Sequence, residues 1–353
     1  MDLSRLRKKI DAIDTKIVGL LNDRARVSLT VGKAKLSARQ GIYAPDRERE
    51  VLERVRALNQ GPMPDGAFEN VYREIMSSSI ALEKPLRIAY LGSEGSNSHS
   101  AAVKKFGSQV TYVSSSSIPE VFQRVEHSDC DYGVVPIENS VEGAVTYTAD
   151  MLVESELLIC AQVMAKISHN LLSKCAVNKI RKVYSNPQVF AQCRGWVLAN
   201  LPPERVQEIS VASTTEAAAI AAKAKFAAAI ASIECSRIYK IPAVKTNIQD
   251  IAHNTTRFLV IGRQEVGSTG RDRTSIVFSI KDKVGVLHAM LAPFAKHGIN
   301  LTKIESRPIK KKAWDYYFFV DLEGHREDKK VKKALAQLES MCKFLKILGS
   351  YPE

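Results

Sequence analysis

The sequence lacks several features that would place it outside the soluble globular proteins. It has no run of about 18 consecutive apolar residues, so no segment reads as a bilayer span. The N-terminus, MDLSRLRKKIDAID, has no apolar signal core and is helix-patterned from the start, which reads as a cytoplasmic chain. Cysteines are few, and Cys130, Cys160, Cys175, Cys193, Cys235 and Cys342 form no C-x-x-C pair. That fits reduced thiols rather than a disulfide framework or a zinc site, and no structural metal is expected.

What is present bounds the architecture. At 353 residues, with 45% hydrophobic and 25% charged side chains, the chain is too long for one ordinary core and is expected to form two or three. Lys and Arg outnumber Asp and Glu by 51 to 38, a net +13, which suits nucleic acid, an anionic membrane surface or small polyanionic substrates.

Residues 4 to about 38 repeat apolar side chains at helical period without a proline, giving one helix about 50 Å long. A second helix runs from Asp46 to Leu58, opened by Pro45, and a third from Ala67 to about Leu82. These shorter helices cannot bury the long one, so dimerisation by helix exchange is inferred. At Lys84-Pro85 the pattern changes to short apolar runs alternating with helical stretches, continuing to about Ile261 as an α/β region. Within it, the alanine-rich stretch from Glu216 to Glu234 reads as one packing helix. After the linker VGSTGRD, a strand, helix, two strands and final helix suggest a ferredoxin-like α+β sandwich. The domains are expected at 1–84, 85–266 and 267–353, with net charges of +4, +2 and +7. The C-terminal surplus lies in Lys310, Lys311 and Lys312, expected in a hairpin turn, and in Lys329, Lys330, Lys332 and Lys333. No aromatics are interleaved there, so a solvated face is expected rather than a nucleic-acid site.

Arg24 and Lys35 are eleven residues apart, which returns to within about 20° of one helix face. Arg7 points about 100° away and could serve only a second copy's site. Basic residues on a long helix are otherwise simply solvated.

The runs LRKKIDAIDTKIVGLLNDR, VGKAK and YAPDRE resemble the all-helical chorismate mutase domain. The resemblance implies a cationic site of Arg7 from the partner copy, Arg24, Lys35 and Arg47, with Glu48 meeting the substrate hydroxyl and Ser79 and Glu83 on the last helix. Chorismate becomes prephenate by an intramolecular Claisen rearrangement, so the protein must hold the compact conformer and stabilise charge on the breaking ether oxygen. Lys35 and protonated Glu83 would donate to that oxygen. Ala44 stands where the family often has aspartate.

Four ordered motifs, DYGVVPIENSVEGAV, VYSNPQVFAQCRGW, VASTTEAA and NIQDIAHNTTRFLVIG, resemble prephenate dehydratase. The resemblance implies two α/β lobes of the periplasmic-binding-protein type around a cleft, in which prephenate loses carbon dioxide and its ring hydroxyl. Thr256 of the T-R-F run would serve at the leaving hydroxyl, beside Arg257 and Phe258. Asn139, Ser185 and Gln192 match cleft residues, and Ser213 and Thr214 would hold an anion at a helix N-terminus. Each has a bland reading as a turn, cap or strand residue. Ser93, Asn97 and Asn186 depart from the family's usual residues. His99, His127 and His169 are read as surface or packing residues.

The last segment resembles an ACT regulatory domain through DKVGVLHAML and IESRP. Gly285, Val286, Leu287 and His288, with Glu305, Ser306, Arg307 and Pro308, are the implied L-phenylalanine site. The plain alternative makes Gly285 a turn and Pro308 a strand terminator. Chorismate, prephenate and L-phenylalanine are thus the expected ligands of a homodimer or homotetramer that uses no cofactor and has no nucleic-acid or membrane partner. Rival readings are arogenate as second substrate, a catalytically weakened phenylalanine-sensing protein, and nucleic-acid binding by the basic patches.

Overall fold

The computed structural model describes residues 2–37, 41–280, 283–309 and 316–353. They group into two compact units, one of residues up to 87 with 105–111 and 264–353, the other of 88–104 with 112–263.

The chain begins with helices α1 (Leu3–Ser37), α2 (Pro45–Leu58) and α3 (Asp65–Glu83). Pro45 presets the first turn of α2, and Asp46 and Glu48 there complement its positive end. Both α1 and α2 pack on α3. Much of the apolar stripe of α1 is nevertheless exposed: Leu3, Ile10, Ile13, Ile17 and Val27 face solvent, and Leu20 is 68% accessible. Isolated exposed leucines are ordinary, but a continuous stripe over seven turns is not.

Next come β1 (Arg87–Leu91), α4 (Asn97–Phe106), β2 (Thr111–Ser115), α5 (Ile118–Glu126), β3 (Tyr132–Asn139), β4 (Gly143–Ala144), α6 (Thr146–Glu154) and β5 (Leu158–Lys166). A second run holds β6 (Asn170–Ser173), β7 (Lys182–Ser185), α7 (Pro187–Gln192), α8 (Arg194–Asn200), β8 (Gln207–Ser210), α9 (Thr214–Lys223), β9 (Ala227–Ala231), α10 (Ile233–Ile238) and β10 (Ala243–Lys245). The chain then returns to the first lobe through β11 (Thr255–Gly262). Among the described residues the strands form one sheet ordered β2-β1-β3-β11-β5, with β4 on β3, and another ordered β10-β6-β9-β7-β8. These are the expected two α/β lobes.

The alanine-rich stretch is not one helix. α9 ends at Lys223, β9 follows as a fully buried strand, and α10 starts at Ile233. β9 lies between β6 and β7, where Ala227, Ala229 and Ala231 pack with Ala217, Ala218 and Ala221 of α9. Alanine's helix preference is a fraction of a kcal/mol per residue, less than a central strand gains from burial on both faces.

The C-terminal part comprises β12 (Asp272–Ser279), α11 (Val286–Lys296), β13 (Leu301–Pro308), β14 (Tyr316–Glu323), α12 (Lys329–Met341) and β15 (Phe344–Pro352). The order β13-β14-β12-β15, with both helices contributing to one apolar core, is the expected ferredoxin-like sandwich. Its last strand, β15, carries no clean alternation and went unread in the sequence. Lys310, Lys311 and Lys312 lie outside the described residues.

Candidate active sites

A cavity of about 300 Å³ lies among α1, α2 and α3, and Arg24, Lys35, Arg47, Glu48, Ser79 and Glu83 all line it. Arg24 and Lys35 share one face of α1, as their spacing demands. Arg24 Nη1 donates to Ser79 Oγ at 2.6 Å, and that hydroxyl donates to Ile75 O at 2.8 Å. Lys35 Nζ donates to Ile42 O at 2.7 Å. Arg47 stands at the rim, paired with Glu50 at 2.6 Å. Arg7 is exposed near the start of α1 and does not line the cavity.

Glu83 is the least expected occupant of such a place. Burial pushes its carboxyl pKa up, against the opposing pull of Lys35 and Arg24. Its Oε2 is buried and has no hydrogen-bond partner among the described residues. Gly32 makes room for it, since a Cβ there would stand 2.6 Å from Glu83 Cγ.

Glu48 is held from one side only. Tyr43 Oη donates to its Oε2 at 3.0 Å and Lys105 Nζ meets the same oxygen at 2.9 Å. Tyr43 lies in the YAPDRE run and was within reach of sequence reading. Lys105 follows Glu48 by more than fifty residues and carries no local signal.

In the other unit, β11 and β3 bring Thr256 opposite Asn139 in register. Asn139 Nδ2 donates to Thr256 Oγ1 and to Asn254 Oδ1, both at 2.7 Å, while its Oδ1 accepts from Val141 N and Glu142 N. Because Thr256 Oγ1 accepts from an amide, its own proton is left to donate outward, and no described residue takes it. Gln192 joins the cluster: its Oε1 lies 2.6 Å from His169 Nε2 and 3.4 Å from Asn254 Nδ2, and its Nε2 donates to Glu142 Oε1 at 2.5 Å. Burial holds His169 below the usual histidine pKa, so a neutral imidazole donates through Nε2.

The remaining expected residues separate. Ser185 is fully buried and donates to Ile230 O at 2.8 Å. Arg257 lies on the opposite face of β11 from Thr256, with Nε on Gln162 Oε1 at 2.9 Å, and Phe258 is in the core. Ser213 caps α9 by accepting from Glu216 N at 3.1 Å, with Thr214 as the first helical residue. Gly285 precedes α11 at φ +77°, and nothing lies within 4 Å of a Cβ there, so backbone conformation rather than crowding calls for glycine. Val286 packs against the sandwich core, while Leu287 and His288 are exposed at the start of α11. On edge strand β13, Glu305 and Arg307 are half-buried opposite Phe319 and Tyr317, and Ser306 and Pro308 are exposed.

Comparison with known proteins gives the same order of parts. Family models described as chorismate mutase type II, prephenate dehydratase and ACT domain match residues 6–84, 88–266 and 274–340. A bifunctional chorismate mutase/prephenate dehydratase of Aquifex aeolicus (strain VF5) is 47% identical, covering 100% of this chain and 98% of that one. The chain belongs to this bifunctional family. Its counterpart in Escherichia coli (strain K12) is 30% identical over 99% of this chain and 96% of that one. Among solved structures, a prephenate dehydratase from Arthrobacter aurescens in complex with L-Phe matches with a TM-score of 0.69 and 29% identity, over 76% of this chain and 90% of that one. One from Staphylococcus aureus matches with a TM-score of 0.66 and 30% identity, over 75% of this chain and 100% of that one.

Where this chain departs from the family's usual residues, two of the four substitutes make side-chain hydrogen bonds. The hydroxyls of Ser93 and Thr215 share a 2.5 Å hydrogen bond, and Asn186 caps α7 by accepting from Val189 N at 2.8 Å. Asn97 is exposed at the start of α4. Ala44 precedes α2 and supplies no side-chain cap. Asn254, Glu142 and His169 were not singled out as site residues from the sequence, although the first two lie inside the quoted motifs.

Proposed function

We propose that the chain converts chorismate to prephenate among α1–α3 and prephenate to phenylpyruvate beside Thr256, under feedback by L-phenylalanine at the C-terminal sandwich. The observation that carries this reading is the convergence of Arg24, Lys35, Arg47, Glu48 and Glu83 from three helices on one cavity of a size to hold a small dicarboxylate.

In the first reaction Arg24 and Arg47, with Arg7 of a second copy, hold the two carboxylates. Lys35 and the protonated Glu83 donate to the ether oxygen as its bond to carbon breaks. Raised by burial, the Glu83 pKa keeps a donor proton there to higher pH than an exposed carboxyl would. Glu48 accepts from the substrate hydroxyl. The exposed stripe of α1 supports an exchanged dimer, which would bring Arg7 to its neighbour's cavity.

In the second reaction the Thr256 hydroxyl, oriented by Asn139, donates to the leaving hydroxyl while carbon dioxide departs and the ring becomes aromatic. The proposed partition of the chain is 1–84, 85–266 and 267–353, and its proposed setting is the cytoplasm. L-phenylalanine would act by binding a less active arrangement more tightly than the active one.

The deciding experiment supplies chorismate and follows prephenate and phenylpyruvate separately. Lys35→Ala is expected to abolish prephenate formation while dehydration of added prephenate continues, and Thr256→Ala the reverse. A mutant that loses both activities, while remaining folded, would overturn the two-site reading. For the effector site, identical thermal shifts by L-phenylalanine in wild type and Arg307→Ala would count against Arg307.

A further inference from the structure

Residues 105–111 group with the helical segment rather than with the rest of the dehydratase-type stretch in which the family model places them. The attachment is dense. Ser108 N and Oγ both donate to the Glu74 carboxylate of α3, the hydroxyl at 2.6 Å. Gln109 N donates to Ser77 Oγ at 3.1 Å. Gly107, at φ +74°, approaches so closely that a Cβ would stand 2.6 Å from Ser77 Cβ. Phe106 packs on Tyr43 with ring centroids 4.8 Å apart. This latch delivers Lys105 to the cavity wall, 2.9 Å from Glu48 Oε2 and 5.8 Å from the Tyr43 ring centroid.

Both donors on Glu48 take the same oxygen. Oε2 is occupied by Tyr43 and Lys105, and among the described residues Oε1 has no hydrogen-bond partner. A carboxylate fixed in this way presents one free acceptor in a set direction. We infer that Lys105 is a positioning residue of the mutase site: it clamps Glu48 Oε2 so that Oε1 faces the substrate hydroxyl. The mutase site is therefore incomplete within the mutase segment and borrows a cation from the stretch that follows. The inference rests on the proposed role of Glu48 and adds the group that makes that role possible. With Ala44 where the family often has aspartate, the clamp would orient the remaining carboxylate without that residue's help.

The test uses the full-length protein. The hydroxyl contact exists in both substrate and transition state, so Lys105→Met is expected to raise KM for chorismate about ten- to a hundredfold with a smaller change in kcat. Lys105→Arg should recover most of the affinity. In a Glu48→Gln background Lys105→Met should add little, and dehydration of added prephenate should not change. An unaltered KM in Lys105→Met, with Glu48→Gln impaired, would overturn the clamp while leaving the site assignment standing. A Glu48→Gln enzyme with normal mutase activity would overturn both. A Lys105→Met effect that persists undiminished in the Glu48→Gln background would also overturn the clamp.

Discussion

Three side chains carry sharply different expectations. Glu83 is a carboxyl whose raised pKa comes first from burial, and its proposed task requires the proton. Mutase activity should therefore be full below that pKa and fall as pH rises through it. Glu83→Gln, which donates at every pH, should flatten that limb; a variant whose profile still falls in the same way would refute the assignment. Asn139 supplies the only described donor to Thr256 Oγ1 and also fixes the turn at Val141 and Glu142. Asn139→Ala should lower dehydratase kcat by about 10²-fold or more, measured on added prephenate, with chorismate turnover intact. Cys193 is the contrasting case. Burial, aided by Asp250, pushes its thiol up to about 12, so it should resist iodoacetamide at pH 8 in the native protein and react only after unfolding. Rapid labelling of native Cys193, located by peptide mass analysis, would contradict this.

Among the elements, Gly32 and β9 show what local sequence can and cannot reveal. Gly32 is an unremarkable glycine within a helical repeat, and its role appears only once α3 brings Glu83 against it. Gly32→Ala should displace the Glu83 side chain and depress mutase activity while leaving dehydration untouched, a split readable from the two assays on one preparation. The helices α1, α2 and α3 were legible from their apolar period and from Pro45 at the start of α2. The polar lining of the cavity was half legible: the shared face of Arg24 and Lys35 follows from spacing on one helix, whereas Arg47, Glu48, Ser79 and Glu83 came through resemblance. β9 was misread because alanine reports helix propensity and says nothing of burial between two strands. Lys105 was invisible for a different reason, since only the tertiary docking of Gly107 and Ser108 onto α3 brings it near Glu48.

For the molecule as a whole, the decisive feature is the uncovered stripe of α1. Burying Ile10, Ile13 and Ile17 against a second copy is expected to drive association, with each side chain contributing about 1.5–3 kcal/mol when fully covered. Ile13→Asp should yield a slower-associating or monomeric species by sedimentation velocity, with mutase activity lost and dehydratase activity kept. A variant that stays dimeric, or loses both activities together, would speak against an interface confined to this stripe. In the proposed exchanged dimer only the mutase site is shared between copies, which would separate how the activities respond to amount. On that reading, in the dilute regime where most chains are single, paired sites would grow as the square of chain concentration, and a dehydratase site built from one chain would grow in proportion. The ratio of the two rates thus becomes an internal gauge of abundance. A cell holding little of the protein would finish prephenate made elsewhere, and one holding much would also draw on chorismate itself.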